Sequence, residues 1–227
     1  QGPAVSSYDR SVAFATLTRV FVMGYTPYRN ETHSQVGRTC FSPFRAFLTQ
    51  ASWPLPPNSP PLCAGWTAPQ RLAAAAQPRR FSPLLVSRTQ DGGTYGLHVD
   101  NPFMGTGAAR LRTDLSFTLF LSEPDNYEGG ELEIHHAGNT HHAKAAAGDL
   151  VLYPSTSLHQ VRPVTSGQRI VCVGWIESSI RDAAAREILF DLENLRATLG
   201  QTHDVRSPEY LTLSKSIANL MRLWGEA

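Results

Sequence analysis

The sequence lacks the features that mark several large protein classes. Its three cysteines, Cys40, Cys63 and Cys172, are odd in number, far apart and without CxxC spacing. That excludes a zinc knuckle, a dithiol redox pair and a disulfide scaffold, and points to a reduced, cytoplasmic setting. No apolar run approaches the roughly 20 residues that cross a bilayer, and no basic segment leads into an apolar block at the start of the chain. No membrane partner is expected. One-signed charge is missing too: 20 Lys and Arg stand against 19 Asp and Glu, a net charge of +1 without long runs of either sign, so nucleic acid is not expected as a partner. The start at Gln1 instead of Met is expected of a trimmed chain or of a piece of a longer product. What is present is ordinary: 227 residues, 41% hydrophobic and 17% charged, enough for one full core with appendages.

Taken in order, Val12 to Tyr25 fits a helix and a strand equally well. Five prolines between Pro54 and Pro61 make residues 52–69 a loop, because each removes a backbone donor and biases its predecessor toward extended backbone. Gln70 to Gln77 is alanine-rich and predicts a short helix stopped by Pro78. From there the pattern is strand and turn. Phe81–Arg88 predicts a strand, Gly92-Gly93 a turn, and Leu115–Leu121, Glu131–Ile134, Leu150–Tyr153 and Arg169–Ile176 further strands divided by turn residues. Without intervening helices this predicts an antiparallel sandwich or jelly roll. The end of the chain is helical. Ser179 and Asp182 have the form of a capping box, Ile188, Leu192, Leu195 and Leu199 keep helical spacing up to Gly200, and Ser207-Pro208 opens a second helix carrying Leu213, Ile217, Leu220, Met221 and Trp224. The expected organisation is an N-terminal region over 1–80, a core over 81–178 and a helical extension over 179–227.

The residues that carry chemistry begin with Tyr95-Gly-Leu-His-Val-Asp100. In extended backbone alternate side chains share a face, so His98 and Asp100 project together. A second histidine would complete the 2-His-1-carboxylate set that holds non-haem Fe(II) and leaves positions open. His159, between two apolar strands, is the best candidate. Arg169 begins the strand that follows, where a guanidinium aimed into an apolar barrel needs an anionic partner, and its planar fork suits a carboxylate.

With these residues in place the sequence resembles a known family over residues 81–227. Tyr95-Gly-Leu-His-Val-Asp-Asn101, Arg112-Thr-Asp-Leu-Ser116, Leu119-Phe-Leu-Ser-Glu-Pro124, Tyr127-Glu-Gly-Gly-Glu-Leu132, Ala147 to His159 and Pro163-Val-Thr165 are similar, in order, to blocks of the PKHD-type hydroxylases, a prolyl-4-hydroxylase-like branch of the Fe(II)/2-oxoglutarate-dependent dioxygenases. The resemblance implies a mainly β, double-stranded β-helix (jelly-roll) core with flanking helices. It implies His98, Asp100 and His159 as catalytic Fe(II) ligands, Arg169 as the anchor of the distal carboxylate of 2-oxoglutarate, and ascorbate as the reductant that restores Fe(II). Asp100 keeps the hydroxylase pattern, in contrast to related halogenases that lack the carboxylate. The implied reaction couples oxidative decarboxylation of 2-oxoglutarate to succinate with oxidation of a small-molecule or peptidyl substrate. A jelly-roll protein that binds iron and 2-oxoglutarate without turnover, as a sensor in iron homeostasis, is the alternative. Residues 1 to about 65 do not align with the family.

Other residues have milder expectations. Tyr95 could reach the cosubstrate, although its interval of three from His98 predicts the opposite face of a regular strand. His135, His136, His141 and His142 are read as a solvated hairpin loop, with a second metal as the rival. Arg88 and Arg112 are expected to be exposed, with service to an anionic substrate as the rival, Cys172 to be a buried thiol and Trp175 to be core.

Overall fold

The structure, a computed structural model, describes Leu17, residues 19–23 and residues 68–226. Its strands are β1 (Arg19–Val22), β2 (Pro78–Phe81), β3 (Leu85–Thr89), β4 (Tyr95–His98), β5 (Phe103–Met104), β6 (Leu111–Arg112), β7 (Leu115–Phe120), β8 (Tyr127–Gly129), β9 (Leu132–His136), β10 (Asn139–Ala143), β11 (Asp149–Pro154), β12 (Leu158–Val161), β13 (Val164–Gly167) and β14 (Arg169–Ser178). The helices are α1 (Ala68–Ala76), α2 (Ala183–Thr202) and α3 (Pro208–Trp224). A six-stranded sheet runs in the order β1-β11-β7-β14-β2, with β3 also on β14, and a four-stranded sheet runs β10-β9-β12-β4. The β1–β11 pair is parallel and the others are antiparallel. This is the sandwich that the alternating strands predict. No helix among the described residues is long and apolar enough to cross a membrane.

Strand β7 shows how the layers arise. Leu115, Phe117 and Leu119 join Leu72, Leu150, Leu152, Cys172 and Ile176 in one core on the outer face of the large sheet. The alternate residues point the other way: Phe120 packs with Leu132, Ile134, Val151, Tyr153 and Val171 between the two sheets. Ser116 and Thr118 share that inner face by the period of two, and every residue of β7 is buried. The polar–apolar alternation of Leu115–Phe120 therefore separates a dry layer from a polar interior, not core from solvent. A third core, Ile180, Ala185, Leu189 and Ile217, joins α2 to α3, each large side chain contributing roughly 1.5–3 kcal/mol by burial.

Several elements depart from expectation. The strand expected over Phe81–Arg88 is two strands, β2 and β3, interrupted around Pro83, which has no N–H for the ladder. Residues 68 and 69, expected at the end of the proline-rich loop, already belong to α1. Asp182 caps α2 by accepting from the Ala185 N–H at 2.7 Å, while Ser179 donates from Oγ to the Gln77 carbonyl, so no Ser179 capping box forms. Gly200 does not end α2, which continues to Thr202; a Cβ there would stand 3.2 Å from the Tyr210 ring, so glycine serves the close approach of α3. The four histidines lie in strands β9 and β10, joined by a turn at Ala137 (φ 44°) and Gly138 (φ 86°). Two positive φ values are what a two-residue hairpin turn requires. Most of Val12–Tyr25, most of the proline-rich stretch, Cys40 and Cys63 lie outside the described residues.

Charge ties the strand ends. Asp149, fully buried, accepts from Arg19 Nε and Nη2 at 2.9 and 2.5 Å, fastening β1 to β11. Glu177 is held by Arg80 Nη2 at 2.5 Å and the Arg112 N–H at 3.0 Å. Burial pushes its pKa up, but these two partners outweigh it and hold it below the ordinary glutamate value. A carboxylate with a depressed folded-state pKa contributes stability at neutral pH that is lost as pH falls through the ordinary value to the folded one. Glu177→Gln is therefore expected to melt several degrees lower than the parent at pH 7, with the gap closing below the glutamate range; thermal melts of both proteins from pH 7 to 3 check this.

Candidate functional site

The small sheet brings the two histidines together. Strands β12 and β4 pair with His159 opposite His98, so the rings stand with centroids 4.1 Å apart. Each imidazole is oriented by its own strand: His98 Nδ1 donates to the Gly96 carbonyl at 2.8 Å and His159 Nδ1 donates to the Ser157 carbonyl at 3.0 Å. A carbonyl only accepts, so Nδ1 carries the proton and Nε2 is left with a free lone pair. Burial, followed by the opposing effect of the Ser157 hydrogen bond, leaves the His159 pKa below that of a free imidazole. Its neutral, ligating form thus persists into more acidic solution.

Asp100 follows the end of β4. His98 Nε2 is 3.8 Å from its Oδ1 and His159 Nε2 is 3.7 Å from its Oδ2, too long for hydrogen bonds and of the order of spacings between co-ligands. The three ligand atoms lie within 4.8 Å of one another, and no other group of metal-ligating side chains occurs among the described residues. Two neutral imidazoles and one carboxylate suit a divalent transition metal with positions left for reactants. Ser116, on the inner face of β7, donates from Oγ to Asp100 Oδ2 at 2.5 Å. Its own oxygen lies 2.7 Å from Ser155 Oγ; since the Ser116 proton is committed to the carboxylate, Ser155 donates. Thr113 pins the next turn through Oγ1 to the Asn101 carbonyl at 2.5 Å.

Arg169 opens β14 with only 2% of its surface exposed. Its guanidinium carbon is 5.5 Å from the centre of the Phe120 ring, and its buried Nε has no hydrogen-bond partner. Burial lowers its pKa against the opposing influence of Tyr127 and Tyr153. Tyr153 is buried on the same interior, its ring 5.0 Å from that of His159, and burial with Asp100 nearby pushes its hydroxyl pKa up. A buried cation with an unused donor, on the same interior as Tyr153 and Phe120, fits an incoming carboxylate.

Tyr95 stands beside His98, against the parity of a regular strand. The β12–β4 register shifts between His159 and Val161, so Val161 opposes Tyr95, and this bulge brings the Tyr95 ring to 4.5 Å from His98. Arg112 is not the exposed arginine expected: it donates to Asp114 at 2.7 Å, Glu226 at 2.9 Å and the Ser178 carbonyl at 3.1 Å. Arg88 is exposed, as expected. The histidine hairpin makes no metal cluster among the described residues; His142 sits 3.3 Å from Glu133 instead. Cys172 is a buried thiol whose pKa burial pushes up to about 11, and Trp175 is half-buried. Ser116, Ser155, Tyr127 and Tyr153 were not expected at the site, although Ser116, Tyr127 and the Tyr153–Ser155 turn lie within the sequence blocks quoted above. What singles them out is their position on inner faces, which requires the sheet pairing.

Residues 84–177 match the 2OG-Fe(II) oxygenase superfamily. A PKHD-type hydroxylase of Hyphomonas neptunium is 58% identical over 153 residues, 67% of this chain and 68% of that protein. One of Synechococcus elongatus is 53% identical over 153 residues, with the same shares of the two chains. A crystal structure of a Pseudomonas putida prolyl-4-hydroxylase aligns at 25% identity and a TM-score of 0.37, covering 45% of this chain and 55% of that one. By its close relatives, which it covers over two thirds of their length, the chain belongs to the PKHD-type hydroxylases, Fe(II)- and 2-oxoglutarate-dependent oxygenases.

Proposed function

We propose that the chain hydroxylates a C–H bond of a small-molecule or peptidyl substrate, with His98, Asp100 and His159 holding Fe(II) and Arg169 pairing with the distal carboxylate of 2-oxoglutarate. The observation that carries this is the convergence of His98 Nε2, Asp100 and His159 Nε2 on one point, each oriented by a hydrogen bond to its other atom. When bound, Fe(II) with 2-oxoglutarate and dioxygen supplies the oxidation, yielding succinate, carbon dioxide and the hydroxylated product. The chain's own residues orient and insulate. The Nδ1 hydrogen bonds keep both imidazoles in the ligating tautomer. Ser116 occupies Oδ2 of Asp100, on the side of His159, and leaves Oδ1 turned toward His98. Phe120, Val171 and Tyr153 exclude water from the wall that Arg169 lines. Ascorbate is the reductant that returns the metal to Fe(II), in keeping with the family. The cytoplasm is its setting, in keeping with three cysteines that are odd in number and widely spaced.

Two outcomes check these roles. Anaerobic protein given Fe(II) and 2-oxoglutarate is expected to develop the visible charge-transfer absorption of a chelated keto acid and, in air, to release succinate. Asp100→Ala should show neither, and a parent protein that binds neither ligand would overturn the proposal. Ser116→Ala is expected to keep the fold but bind Fe(II) about 10–100-fold more weakly, because the carboxylate loses its orienting donor. Titration with Fe(II) under argon, alongside a thermal melt, measures both.

A further inference from the structure

Asp100 is the triad member that the β12–β4 ladder does not hold. Strand β4 ends at His98, so the carboxylate and the backbone after it take their positions from elsewhere. Ser116 binds the side chain. Thr113, 6% exposed, binds the backbone twice: its N–H donates to the Pro102 carbonyl at 3.1 Å and its Oγ1 to the Asn101 carbonyl at 2.5 Å. The aim of Asp100 is therefore only as firm as the segment 112–116 that carries both residues.

Both neighbours of Thr113 are tied to the end of β14. Asp114 donates its N–H to the Ile176 carbonyl at 3.0 Å and accepts the Ser178 N–H at Oδ2 at 2.8 Å. Arg112 donates its N–H to Glu177 at 3.0 Å, Nη2 to the Ser178 carbonyl at 3.1 Å and Nε to Asp114 at 2.7 Å. Its other terminal nitrogen, Nη1, goes to Glu226 Oε2 at 2.9 Å, just past α3. Glu226 also donates its N–H to the Ser179 carbonyl at 2.8 Å, and Gly225 bridges to Ile180. A planar fork held by three partners at once has one orientation left to it. Docking of the helix does not need this ion pair, because Ile180, Leu189 and Ile217 already supply an apolar core. With side chains 18% and 37% exposed, the pair adds little to stability. What it does is fix the Arg112 fork one residue before Thr113.

We infer that Arg112, Thr113 and Glu226 are positioning residues for the metal site. Glu226 clamps the Arg112 fork from the end of the last helix, and the clamped segment holds, through Thr113, the turn that aims Asp100 at the two histidines. The inference rests on the assignment of the triad to a metal above, and its test keeps the two apart. The whole chain is titrated under argon with Fe(II) and, separately, with Co(II), whose visible bands follow the geometry of its ligands. All titrations are made far below the melting temperatures, which are measured on the same samples. Thr113→Val is expected to bind Fe(II) about tenfold more weakly and to change the Co(II) spectrum, whereas Thr113→Ser, which keeps the hydroxyl, stays within about twofold of the parent. Glu226→Ala removes the ion pair and keeps the backbone bond to Ser179. It is expected to weaken Fe(II) about threefold while melting within about 3 °C of the parent. Ile217→Val thins the α2–α3 core without touching the clamp, and is expected to melt lower and bind Fe(II) as the parent does. Unchanged Fe(II) affinity in either Thr113→Val or Glu226→Ala overturns the inference and leaves the iron site intact. Equal losses of Fe(II) affinity in Ile217→Val and Glu226→Ala also overturn it, by making the clamp a general support of the fold. A parent protein that binds neither metal overturns the proposed function and this inference together.

Discussion

The ladder between β12 and β4 is the constraint on which the site depends. By placing His159 opposite His98 it brings two imidazoles from distant parts of the chain to a ring separation of 4.1 Å. A slip of one residue would turn His159 to the outer face of the sheet, since the side-chain period is two. The register is held by the neighbour on the other side: β9 pairs Ile134 with His159, and Ile134 is fully buried in the core between the sheets. Hydrophobic packing thus fixes the alignment of the two histidines, and Asp100 needs only to leave the strand in the direction that Ser116 and Thr113 impose.

The second theme is an interior that is polar by construction. Arg169, Tyr127, Tyr153, Ser116 and Ser155 are all buried, and a cavity lined with such groups is expensive unless they are paired. Ser116 and Ser155 are satisfied through Asp100. Arg169 retains at Nε a donor without a partner. Selection for stability alone would fill such a site with apolar side chains. The helices on the opposite face of the large sheet supply compensating burial through Leu72, Leu115, Phe117, Leu119 and Ile176, and the pair α2–α3 adds a core of its own.

Much of the site was legible because its signals are local. Alternation along Tyr95–Asp100 predicts that His98 and Asp100 share a face, although β4 ends at His98 and Ser116 is what holds Asp100, and an arginine opening an apolar strand calls for an anion. Other features were not legible, for reasons that are not local. Tyr95 reaches His98 through a bulge defined only by the opposing strand. Arg112 has an ordinary surface-arginine context in sequence, and its partners Asp114, Glu226 and Ser178 converge only after the C-terminal helix returns to the sheet. The histidine-rich stretch looks like a loop because polar residues crowd it, whereas strand pairing with β12 carries it into the small sheet.

By itself the sequence determined the strand-and-turn rhythm and the two C-terminal helices and pointed to His98, Asp100, His159 and Arg169 as candidates, because alternation, capping residues and motif spacing act within a few residues. Tertiary structure alone decided which face of β7 is dry and which is polar, which serine holds Asp100, and that Tyr127 and Gly130 meet Arg169. Those relations depend on register between strands far apart in the chain, and register is set by the packing of the two sheets as a whole.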